Sequence, residues 1–116
     1  MPTVDCTLGT DRSDAALNRP VLVLRPEEVR LLREPAVTSA APRLAGLLGR
    51  AAGAVRVVGA GELAELRAEL RRLLSGVTAR RLPDQLPLAL SLQRLDTACA
   101  TAQEFGLNLY LSIEDD

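Results

Sequence analysis

The sequence has no histidine, no tryptophan and no lysine; all 14 of its basic residues are arginine. Each absence removes a chemistry. Without His there is no side chain whose unperturbed pKa lies near neutrality, no Ser-His or Cys-His pair, and no imidazole metal ligand. Without Lys there is no Schiff base and no Walker-type phosphate lysine. Aromatic residues make up only 2% of the chain, too few for a base-stacking RNA surface. The two cysteines, Cys6 and Cys99, lie far apart with no C-x-x-C spacing, so neither a zinc site nor a disulfide framework is expected, and the expected setting is a reducing cytoplasm. No run of roughly eighteen apolar residues occurs, and the segment from Met1 to Cys6 lacks a basic stretch followed by an apolar one. Neither a membrane span nor a secretory leader is expected.

What remains is enough to fold. The 116 residues, 47% hydrophobic and 25% charged, suit one compact core. With 14 basic against 15 acidic groups the formal net charge is -1, which argues against a general polyanion-binding field and makes nucleic acid an unexpected partner. The Ala, Arg and Leu-rich usage suggests a GC-rich bacterial genome.

Residues 1–19 mix Thr, Asp, Ser, Asn and Gly around isolated Val4 and Leu8, and are expected to form a flexible tail carrying Cys6 as a solvent-facing passenger. Residues 20–116 are then the single globular domain. Val21-Leu22-Val23-Leu24 and Val55-Arg56-Val57-Val58 are short runs of strand type. In a third strand, Leu107, Leu109, Leu111 and Ile113 alternate with Asn108, Tyr110 and Ser112. Pro26, followed by Glu27 and Glu28, starts one helix that Pro35 should stop; a linker through Thr38 to Ala41 leads to a second helix from Pro42 towards Gly53. Leu63, Leu66, Leu70, Leu73 and Leu74 form one apolar stripe of a third helix, with Gly76 its expected end. Asp84 is the expected cap of a fourth, whose face runs through Leu88, Leu92, Leu95, Cys99, Ala102 and Phe105 to a stop at Gly106. The expected fold is therefore a small two-layer α/β domain, about three short strands with about four helices on one face. A mainly helical domain with a small terminal sheet is the alternative.

Few motifs carry chemistry. Gly59-Ala60-Gly61-Glu62-Leu63-Ala64 matches the G-x-G-x-x-A dinucleotide turn between an apparent strand and helix, but Glu62 in its first turn would repel phosphate and no acidic ribose contact follows on schedule. Glu62, Glu65 and Glu69 are read as a solvated face rather than a metal site, and Arg67, Arg71, Arg72, Arg80 and Arg81 as solvated charge at a helix end. Cys99 is read as a small core residue. The expectation is a non-enzymatic cytosolic protein-binding domain of the adaptor, inhibitor or immunity type, with no cofactor and no metal. Its contact residues are Tyr110 as anchor on the polar face of the last strand and Glu114, Asp115 and Asp116 as charge contacts for another protein, expected to be basic. The alternative is a nucleotide or phosphate-ligand module using the turn from Gly59 to Ala64, with an enzyme relying on carboxylates alone standing third.

Overall fold

Between Pro2 and Gly9, Val4, Cys6 and Leu8 alternate with Thr3, Asp5 and Thr7. This stretch is a strand, β1 (Pro2–Gly9), in the computed structural model, which describes residues 2–49, 55–80 and 85–115. The expected flexible tail is corrected here. A period of two puts Val4, Cys6 and Leu8 on a single buried face, which is enough to hold the segment in a sheet although none of its apolar residues are adjacent. Cys6 is fully buried rather than solvent-facing.

The elements that follow are α1 (Arg12–Leu17), β2 (Leu22–Leu24), α2 (Pro26–Leu32), α3 (Pro35–Thr38), α4 (Pro42–Leu48), β3 (Val55–Val58), α5 (Ala60–Arg80), α6 (Leu86–Phe105) and β4 (Asn108–Asp115). The four strands form one sheet in the order β2-β1-β4-β3, with every neighbouring pair antiparallel. At its centre β1 and β4 pair over eight residues, from Pro2 opposite Asp115 to Gly9 opposite Asn108. The fold is thus the mixed α/β domain expected, with a fourth strand and with more helices than the four anticipated. The mainly helical alternative does not hold.

Val4, Cys6, Leu8, Leu22, Leu24, Val58, Leu109, Leu111 and Ile113 form the inner face of the sheet. Against it lie Val29 and Leu32 of α2, Leu44 and Leu48 of α4, Leu63, Leu66 and Leu70 of α5, and Leu92, Leu95, Cys99 and Ala102 of α6, all in one core. The helix boundaries differ from expectation in three places. Pro35 does stop α2, but it also occupies the first turn of the short α3, where its missing N–H costs nothing, so an unexpected helix precedes the linker and takes in its first residue, Thr38. Gly76 does not end α5, which continues to Arg80. Among described glycines only Gly106 takes a positive φ, and Val77, one residue past Gly76, still packs on the core. At α6 the start differs in that Gln85 stands at the cap position without a side-chain bond, and Asp84 lies outside the described residues. The end is as expected: Gly106 (φ 64°) is left-handed, with Leu107 N–H donating to the Ala102 carbonyl (2.8 Å) and Gly106 N–H to Gln103 (3.3 Å).

Charged side chains fasten the helices to one another. Glu69 is 3% exposed, and its carboxylate accepts from the N–H groups of Leu44 (2.9 Å) and Arg43 (3.3 Å), capping the start of α4. Arg33 Nε donates to the Leu48 carbonyl at the other end of that helix (2.7 Å). A seven-residue helix with no cap of its own is thereby held at both ends, with charges of the sign its dipole favours. The expectation of Glu69 as part of a solvated face is corrected: α5 turns it towards α4, while Glu62 and Glu65 stay exposed. Arg67 Nε and Nη2 bond both oxygens of Asp96 (2.9 and 3.4 Å), and Arg71 Nε lies 3.6 Å from the same carboxylate, so these two arginines join α5 to α6 rather than standing free in solvent. Glu28 receives Arg94 Nη1 (3.0 Å) and the buried Ser91 hydroxyl (2.9 Å), which ties α2 to α6.

Glu69→Ala removes a charged acceptor from two backbone donors and should lower the unfolding free energy by about 2 kcal/mol in urea denaturation. Glu69→Gln should cost less, because it keeps one acceptor, and the exposed Glu104→Ala should stay within about 0.5 kcal/mol of the parent.

Candidate functional site

The face of the sheet away from the core is only partly covered. Because strands alternate, this outer face carries Thr3, Asp5 and Thr7 from β1, Tyr110, Ser112 and Glu114 from β4, Val23 from β2, and Val55 and Val57 from β3. Val21, just before β2, donates its N–H to the Cys6 carbonyl (2.8 Å). The valines stand at the two margins and are substantially exposed: Val21 49%, Val23 43%, Val55 38% and Val57 53%. Between them runs a polar strip of Thr, Asp, Ser, Tyr and Glu.

One end of this face is roofed by α1. Asp11 caps it, accepting from Asp14 N–H (2.8 Å), and Asp14 in turn accepts from Thr10 N–H (2.8 Å). Asn18 Nδ2, just past the helix, reaches back to the Leu8 carbonyl (2.8 Å). Gly9 is required for this approach: a Cβ there would lie 2.6 Å from Ala15 N. Arg12, Ala15 and Ala16 then share a cavity of about 250 Å³ with Thr7, Val55, Tyr110 and Ser112. The expectation of all helices on one face is corrected: α1 lies on the side of the sheet away from the core.

Tyr110 lies opposite the buried leucines, as the alternation implies, between Thr7 of β1 and Val57 of β3. Its burial differs from expectation: it is 9% exposed, because it sits on a central strand beneath α1. Glu114 is exposed and shares the outer face with Tyr110, opposite Thr3. Asp115 closes β4 opposite Pro2, and Asp116 lies outside the described residues. The sequence reading missed Asp5 and the four valines as parts of this surface. The signal for Asp5 was the alternation in β1. For the valines it was the pairing of short strands at the sheet margins, which only the strand order reveals.

The turn at Gly59 does join a strand to a helix. The sheet around it is antiparallel, however, and β3 has no adjacent parallel strand with which to form the crossover on which a dinucleotide site is built. A Cβ at Gly59 or Gly61 would meet nothing within 4 Å, so no close packing calls for glycine there. The Ala60 N–H at the start of α5 is engaged by Asn108 Oδ1 (3.2 Å). Among the described residues no group of three or more His, Cys, Asp or Glu side chains could hold a metal ion, and no helix is long and apolar enough to cross a membrane. Of the other arginines singled out in the sequence, Arg72 lines a cavity of about 430 Å³ with Val37, Leu73 and Leu88, the Arg80 side chain is not described, and Arg81 lies outside the described residues.

Cys99 is a core residue, as expected, and both thiols are fully buried and free. Burial pushes the Cys6 thiol up to about 12, helped by Cys99 and Asp5, and burial together with Asp96 does the same to Cys99. Such thiols are poor nucleophiles. No known protein family, curated protein or solved structure matches this chain.

Three outcomes follow from this geometry. Neither thiol should react with a disulfide reagent at pH 8 until the chain is unfolded. In the unfolded chain the thiols ionise near 9, whereas the folded protein keeps their protons to about 12, so folding stability should be intact below pH 9 and fall as pH rises from there towards 12. Denaturation midpoints measured across that range give the check. Calorimetric titration with NAD, NADP, FAD and ATP should show no binding at the turn from Gly59 to Ala64; micromolar binding abolished by Gly61→Val would reverse that reading.

Proposed function

We propose that this chain is a non-enzymatic, cytoplasmic protein-binding domain that engages its partner through the open part of the outer sheet face. The observation that carries this reading is the combination of four exposed valines flanking a polar strip on one continuous surface. Antiparallel sheets commonly leave one face to solvent, but that face is then mostly polar, and four exposed valines on it are apolar surface that a partner would cover. The residue inventory supports the same conclusion, since it offers neither a base that titrates near neutrality nor an activated nucleophile. Buried, unbonded thiols fit a reducing compartment.

Within that face Asp5 and Glu114 give the polar strip a negative character, and Arg12 sits at the end roofed by α1. The partner is accordingly a protein with basic side chains set among aliphatic ones. Tyr110 acts less as an exposed anchor than as the floor of the cavity beneath α1, so its ring supports the surface that a partner meets.

A photo-crosslinking side chain placed at Val23 should trap a discrete partner in the native cell, and the same group at Phe105, exposed on α6, should not. With that partner purified, Asp5→Lys and Glu114→Lys should slow association about tenfold and remove most of its salt dependence. Tyr110→Phe, which keeps the ring, should bind nearly as well as the parent. Equal crosslinking at both positions, or unchanged association in both charge variants, would move the interface off this face.

A further inference from the structure

The two edges of the sheet are not alike. On β2, only three residues long, the Val23 carbonyl accepts from Arg94 Nη2 (3.4 Å), so a guanidinium lies across part of that edge. On β3 the backbone of residues 55–58 makes no hydrogen bond besides its ladder with β4, among the described residues. Such an edge is a template for another strand. Its side chains add two observations. Arg56 points to the inner face, beside Leu111, and its Nε is buried with no hydrogen-bond partner. Glu62, exposed at the start of α5, lines a cavity of about 140 Å³ with Val58, on the same side of the same edge. Arg43 also lines that cavity but is already engaged by Glu65, and among the described residues Glu62 forms no ion pair. Among the described residues this edge therefore holds a guanidinium with a buried, unbonded Nε and a carboxylate in no ion pair, and the two do not pair with each other.

We propose that β3 pairs antiparallel with β3 of a second copy, joining two four-stranded sheets into one of eight strands about a twofold axis at Val57. A twofold axis normal to the sheet keeps inner face with inner face, so the register must be centred on a residue and not between two. Centring it on Arg56 would set like charges directly opposite each other. Centring it on Val57 places each Arg56 opposite Val58 of the other copy, and Val58 is the strand residue that lies beside Glu62. Each Arg56 then meets the other copy's Glu62, making two symmetric ion pairs and supplying the acceptor that Nε lacks within one chain. On the outer face the exposed Val57 side chains pack against each other, and Val55 comes opposite Gly59. The pairing goes beyond the partner-binding reading: it uses the β3 edge, takes Val57 out of the outer face, and leaves Asp5, Glu114 and the valines beside β2 open to a partner.

The opposing account of Arg56 is that an inward charge on an edge strand keeps strands apart, and the two accounts differ in sign. Sedimentation equilibrium of the full chain, at concentrations up to the order of 100 μM, suits an interface of this modest size. The parent should be a reversible dimer. Arg56→Glu and Glu62→Arg should each weaken it about tenfold or more, and the double variant carrying both changes should recover most of that loss. A monomeric parent overturns the proposal, as does tighter association in Arg56→Ala or a double variant no better than the single ones. Should the charge variants fail to fold, Val57→Cys decides the question: on mild oxidation it should give a covalent dimer, because residues directly opposite in an antiparallel pair lie within disulfide reach. Val23→Cys, similarly exposed on the other edge, should give no covalent dimer; no covalent dimer from Val57→Cys, or an equal yield from both, overturns the register.

Discussion

The pairing of β1 with β4 is the constraint on which everything else rests. Eight consecutive residue pairs, from Pro2 opposite Asp115 to Gly9 opposite Asn108, make the two middle strands of a four-stranded sheet. Each flanking strand is then attached to only one of them, β2 to β1 and β3 to β4, so neither margin has a place without the centre. The inner side chains of the central pair, Val4, Cys6, Leu8, Leu109, Leu111 and Ile113, are also the floor on which α5 and α6 lie. Almost the whole described chain separates the two strands, and the entropy of closing so long a loop must be met before the pairing contributes. The local contact between α5 and α6, adjacent in sequence and tied by Arg67 and Asp96, is a cheaper structure to form early.

What could be read from the sequence followed from signals carried within a single segment. The leucine stripe of α5, the face of α6 with its Gly106 stop, and the alternation in β4 each declare themselves within a few turns or residues, and each is present. What could not be read depends on distant partners. β1 has the same alternation as β4 but with Val4 and Cys6 on its inner face where β4 has Ile113 and Leu111, so its apolar signal is weaker and becomes decisive only when β4 lies alongside. Gly76 resembles a helix end, yet Val77 still finds the core, and burial outweighs a glycine penalty of about 1 kcal/mol. The candidate site shows the same division. The side of the strand to which Tyr110 belongs is evident from its neighbours in sequence, but its depth is set by α1, a helix more than ninety residues away that the sequence reading took for tail.

The charges were the least legible part, for a related reason. Nothing local distinguishes Glu69, which is buried against α4, from Glu65, which is exposed four residues earlier on the same helix. The difference is made by α4, a helix whose own cap position is alanine and whose unsatisfied N–H groups need a carboxylate from elsewhere. In a chain with so few aromatic anchors, fixing helices by Glu28 with Arg94, Arg67 with Asp96 and Glu69 with α4 supplies direction that aliphatic contact alone lacks.

The extent of the outer face is then a consequence of how little covers it. Six residues are too few for an independent helix, and α1 persists because Asp11 and Asp14 satisfy its first turn, Asn18 binds the Leu8 carbonyl, and Gly9 lets Ala15 reach the sheet backbone. Its single buried residue is Ala15, while Leu17 stands 86% exposed. A roof so short can shelter Tyr110 and the end of β4 near it, but not the valines at the margins or the acidic end of the central strands. The same economy that lets a small chain complete one core leaves a second, half-apolar surface without an internal partner. Aliphatic margins around Asp5 and Glu114 are the chemistry left on that surface, and it is this chemistry that the proposed partner would meet.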